Sequence, residues 1–72
     1  MKIEYFPETD SLYIDLADRV ATDSQEIAEG IVLDTDADGH PVGIDIDQAS
    51  KHLSLGKVNL KGLPFEVEQV AV

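Results

Sequence analysis

Polar and apolar residues alternate along three short runs of this chain. Lys2-Ile3-Glu4-Tyr5-Phe6 is the first. A period of two marks a half-buried strand. Ser11 to Ala17 is the second, with Leu12, Ile14 and Leu16 on one side and Tyr13, Asp15 and Ala17 on the other. "FPETDS" lies between them, with Pro7 suited to the second position of a type I turn, so the two runs form a hairpin. The third run is "HPVGIDID", where Val42, Ile44 and Ile46 alternate with Gly43, Asp45 and Asp47. Before it, Ile31-Val32-Leu33 is apolar and largely β-branched, and the strand reaches to about Asp36. The pattern starts that strand at Gln25 and makes Gly30 a bulge or bend within it. This strand and "HPVGIDID" form a second hairpin.

The period changes after Asp47. "QASKHLSL" places Ala49 and Leu53 on one stripe, i to i+4, which predicts a helix of eight residues. Asp47 is its expected N-cap and Gly56 its stop. Beyond it, Phe65 and Val67 alternate once more and predict a last strand near 65–71. The predicted fold class is α+β, a single domain over 1–72. It is an antiparallel meander of about four strands with one short helix and a C-terminal strand. One sheet face is apolar: Ile3, Tyr5, Leu12, Ile14, Leu16, Ile31, Leu33, Val42, Ile44 and Ile46. An eight-residue helix is about 12 Å long and cannot cover it. The tail or a second subunit must cover the rest, which favours a homodimer.

Composition narrows the function. A chain of 72 residues supports one thin core. Its stability is of order 3–5 kcal/mol unless something staples it. Cysteine is absent, so disulfides, thiolate zinc sites and cysteine nucleophiles are excluded. A hydrophobic fraction of 43% suits a folded chain. No run approaches the ~18 apolar residues of a membrane span. The charged, alternating N-terminus is unlike a signal peptide, so the expected location is cytoplasmic. Fifteen acidic and five basic residues give a net charge of −10. That excludes the phosphate neutralisation a nucleic-acid binder needs, and disfavours anionic membranes. A basic protein or a cation suits such a field better.

"DTDADG", residues 34–39, is the one stretch that resembles a metal loop. With Asp34 as position 1 of a calcium loop, Asp36, Asp38 and Gly39 fall at 3, 5 and 6, and Asp45 at 12. The twelfth ligand is normally a bidentate glutamate, and Pro41 at position 8 removes a backbone donor. The flanks have strand period, where an EF-hand needs helices. A hairpin turn explains every residue. Asp36 bonds the backbone two residues on, and Gly39 supplies the positive φ of a type I turn with a bulge. A non-helical calcium or magnesium site at Asp34, Asp36 and Asp38 is the alternative.

The polar sheet face gathers Glu4, Asp15, Asp34, Asp45 and Asp47, with Lys2 the main counter-charge. Like charges opposed across strands are destabilising, and a cation or basic partner would relieve them. These five are the candidate partner-binding residues. His40 and His52 lie far apart with no cysteine, a poor zinc set. Ser50 and His52 are two apart on a helix and cannot face each other. No positioned nucleophile and base emerge, so no enzyme is expected.

Tyr5, Pro7, Asp10, Leu12, Tyr13 and Ile14, followed in order by Asp34, Asp36, Gly39, Gly43, Ile44 and Gln48-Ala49-Ser50, carry a resemblance. Residues 1 to about 53 resemble the bacterial domain of unknown function family 2283. Phe6 departs from the pattern, where an acidic residue is usual; it adds an apolar group to the outer face. The family brings no catalytic residues. Similar families are often encoded beside small toxin-like proteins, which implies a neutralising or partner-binding role.

Overall fold

A computed structural model describes residues 1–54 together with 61, 62 and 64. Five strands and one short helix follow in order: β1 (Lys2–Phe6), β2 (Ser11–Asp15), β3 (Asp23–Ala28), β4 (Ile31–Thr35), β5 (Pro41–Ile46) and α1 (Ala49–His52). All pairings are antiparallel, and the strand order is β1-β2-β5-β4-β3. The fold is therefore α+β as expected, but it is a five-stranded sheet and not a four-strand meander.

The difference lies between Gln25 and Asp36. That stretch is two strands joined by a tight turn at Glu29 and Gly30, with Gly30 at φ 76°. β3 is exposed along its whole length, so it has no buried side to imprint a period of two. Ile27 is bulged out of its ladder, between the pairs Glu26–Val32 and Ala28–Ile31. β2 then pairs with β5, because residues 16–22 carry the chain past β5 and β4 to the far edge.

The register sorts the faces as the alternation predicts. Ile3, Ile14, Ile44 and Leu33 form one row across the sheet; Tyr5, Leu12, Ile46 and Ile31 form the next. Val42, Ile46 and Ala49 are buried. Val42 is the extra residue where the β4–β5 register shifts, and its carbonyl accepts from both Leu16 and Ala17 N–H, at 2.8 and 3.2 Å. That anchors the start of the β2–β3 connection.

α1 spans four residues rather than eight. Its N-cap is Gln48, in the left-handed region at φ 49°, with no side-chain capping bond. Asp47 does not cap it; its Oδ1 accepts only from Gln48 N–H at 3.0 Å. The capping carboxylate comes from Asp10, in the β1–β2 turn. Asp10 accepts from Ser50 N–H at 3.2 and 3.3 Å and from Ser50 Oγ–H at 2.6 Å, and its carbonyl accepts from Ala49 N–H at 2.7 Å. Tyr5 completes the joint, its hydroxyl donating to Asp10 Oδ1 at 2.8 Å. The predicted strand near 65–71 and the stop at Gly56 lie outside the described residues.

Candidate acidic binding face

The polar face is built by register. Across the sheet Lys2 lies opposite Asp15, Asp15 opposite Gly43, Gly43 opposite Asp34, and Asp34 opposite Ser24. In the neighbouring row Glu4 lies opposite Tyr13, Tyr13 opposite Asp45, Asp45 opposite Val32, and Val32 opposite Glu26. Glu4, Asp15, Asp34 and Asp45 therefore share one face. Asp47 follows β5, and with Glu26, Asp45 and Ser11 it lines a shallow open hollow of about 280 Å³. Glu26 is not among the sequence candidates because β3, exposed throughout, has no buried side to assign it a face.

The carboxylates are not equally engaged. Glu4 is paired with Lys2 at 2.7 Å, which raises the Lys2 ammonium pKa. Asp34 accepts from Ser24 Oγ–H at 2.7 Å and from Tyr13 O–H at 3.2 Å. Burial, and then the Asp34 carboxylate, push the Tyr13 hydroxyl above its ordinary pKa. Tyr13 reaches Asp34 by lying across Gly43. A Cβ on Gly43 would stand 2.6 Å from its ring and closer still to its oxygen, so only glycine leaves the path open. Asp15 and Asp45 have no side-chain hydrogen bond or ion pair among the described residues. They are the carboxylates best placed to meet a ligand without first giving up a partner.

The Asp36–Gly39 stretch is a turn, as its flanks predict. Asp36 N–H donates to His40 carbonyl and Gly39 N–H to Asp36 carbonyl, both at 3.0 Å, with Gly39 at φ 83°. Asp36 Oδ1 accepts from Asp38 N–H and His40 N–H, each at 2.9 Å. Its Oδ2 lies 3.3 Å from Arg19 Nε and 3.6 Å from His40 Nδ1. The His40 amide, with the Asp38 amide and Arg19 adding, holds the Asp36 carboxyl below its ordinary pKa. Asp36, Asp38 and His40 bring one ligand atom each within 4.8 Å of one another. Asp34 is not in that group, because its carboxylate is committed to Tyr13 and Ser24 on the sheet face. His52 sits at the opposite end of the sheet, its Nε2 beside Gly30.

An open antiparallel sheet with an acidic outer face and a four-residue helix clamped to one turn defines a small α+β domain. Residues 2–50 match the family model of the protein of unknown function DUF2283, and the chain belongs to that family. No curated protein and no solved structure matches it. Among the described residues no helix is long and apolar enough to cross a membrane.

Proposed function

We propose that this protein is a non-enzymatic interaction module, acting in the cytoplasm, whose acidic sheet face takes a basic protein partner. The observation that carries it is the register: Glu4, Asp15, Asp34 and Asp45 share one face, beside the hollow lined by Glu26 and Asp47. The −10 charge makes such a face a strong field for a cationic surface. A small basic toxin-like protein is the partner class that the family resemblance favours, and a homodimer is the favoured assembly. Nucleic acid and anionic membranes are the wrong charge. Affinity capture from the native host at low and moderate salt tests this. A basic protein should co-purify and be lost when Asp15→Lys and Asp45→Lys are combined; recovery of the bait alone would sink the reading.

A second reading is a metal-binding turn. The gathering of Asp36, Asp38 and His40 favours it. It differs from the calcium or magnesium set of Asp34, Asp36 and Asp38, because an imidazole is a poor ligand for hard cations. Calorimetric titration with calcium, magnesium and zinc separates the versions. No heat, and no change in melting at millimolar ion, removes both.

A further inference from the structure

We propose that β1 is the self-association edge of this protein: two copies pair β1 against β1, antiparallel and centred on Ile3, making one continuous sheet. This rests on the homodimer reading above and is independent of the acidic-face reading. An open sheet has two edges, each a row of unpaired backbone N–H and C=O groups able to accept another strand. The β3 edge is guarded. It is broken by the Ile27 bulge and carries Asp23 and Glu26 without a cation of its own. The β1 edge is not. Its five residues pair with β2 without a register shift, and no strand lies on its other side among the described residues. It presents apolar side chains to solvent: Met1 is 74% exposed, Ile3 51% and Tyr5 44%.

Charge selects the occupant and the register. A second copy centred on Ile3 places Lys2 opposite Glu4 of the second copy, twice by symmetry, and Met1 opposite Tyr5. The Lys2–Glu4 contact at 2.7 Å shows both charges side by side on one face, so the dimer would assemble a block of four alternating charges. Of the two neighbouring registers that keep the faces continuous, one is centred on Lys2 and sets it against itself; the other is centred on Glu4. It sets Glu4 against itself and Lys2 against Phe6, which cross-strand electrostatics disfavours. In a chain of net charge −10, this is the edge that carries its own matching cation.

Sedimentation velocity on the full chain tests the proposal. The wild type should be a dimer. Lys2→Glu and Glu4→Lys should each weaken dimerisation about tenfold, because each opposes like charges at two symmetric pairs. The double swap, K2E with E4K, should restore it. The chain has no cysteine, so Ile3→Cys gives a clean crosslink: it should oxidise readily to a disulfide dimer, and Glu4→Cys should not. Circular dichroism confirms that each variant is folded. A dimer insensitive to both charge reversals, or crosslinked through position 4, overturns this edge and leaves homodimerisation standing. A monomer at all concentrations overturns both.

Discussion

The loop Asp36–His40 and the seam between β2 and β5 are both fastened by aspartates, but over different distances. Asp36 bonds groups two and four residues away. Over the seam, Tyr13 of β2 crosses Gly43 of β5 to reach Asp34 of β4, 21 residues away; beyond it, Asp10 of the β1–β2 turn holds Ser50 of α1 across 40. A local device can form in isolation and fail in isolation. A long-range tie forms only once the sheet has closed, so breaking it acts on the closed sheet. The loop sets where a turn falls; the long-range ties brace β2 against β4 and the β1–β2 turn against α1 once the strands have paired.

The largest expected effect is at Gly43. Gly43→Val would drive a side chain into the Tyr13 ring and displace it from Asp34. Overpacking of this kind costs about 1–3 kcal/mol. That is a large share of the ~3–5 kcal/mol available to a chain of this size. Urea denaturation reads it, and a double-mutant cycle with Tyr13→Ala sharpens it. Removing the ring should relieve much of the cost, giving a coupling of about 1 kcal/mol or more. Strict additivity would mean that the ring does not lie where the seam needs it.

Asp10→Ala comes next. It removes the carboxylate that caps α1 from outside the helix, and with it the acceptor for Tyr5 and Ser50. Amide exchange should accelerate at Ser50 and its helical neighbours, while the amides of Asp38 and His40 keep their protection. Ser50→Ala should do less, because the backbone N–H still reaches Asp10. Equal acceleration in the loop and the helix would erase the distinction between local and long-range fastening.

The same distinction governs what the amino-acid pattern reveals. β1 spans Lys2–Phe6 as the alternation predicts, and the Asp36–Gly39 turn is readable because its causes lie within five residues. Both faces of the sheet are also legible, since period two assigns sides without knowing neighbours. The order of strands is not. Nothing near Gly43 says that a tyrosine thirty positions earlier will lie on it, and nothing near Ser50 names Asp10 as its cap. Asp47 stood next to the helix and took that role by proximity alone. β3 merges with β4 in the pattern for another reason: a strand exposed on both sides has no period to mark where it ends and the next begins. Acidic positions on central strands are therefore legible, and Glu26 is not.

Gly39→Val probes the loop alone. A Cβ there meets nothing within 4 Å, so the cost is confined to the backbone at φ 83°. Holding a side chain in the left-handed region costs about 1–2 kcal/mol. Asn, which tolerates that region, should cost less. Thermal melts should rank Gly, Asn and Val in that order. A loss at Gly39 as large as that at Gly43 would mean the loop also braces the paired strands.

The smallest effect is one of pH, and it separates the two aspartates by charge instead of shape. Asp10 is held below its ordinary pKa by the Ser50 hydroxyl first, then Tyr5, and Asp36 by the His40 amide first. A carboxyl with a lower pKa folded than unfolded stabilises the fold above the unfolded value, near 3.9. That contribution disappears as pH falls through the folded value. The melting temperature should thus be flat from about pH 7 to 5 and decline below about pH 4. Asn at either position keeps an acceptor oxygen and loses the charge. Asp10→Asn and Asp36→Asn should both melt lower than wild type at pH 7, with the gap narrowing as pH falls below about 4. The gap at pH 7 should be narrower for Asp36, whose loop amides can keep their bonds to an uncharged oxygen. Curves that stay parallel down to pH 3 would show that the charge contributes nothing and that geometry alone fastens these two sites.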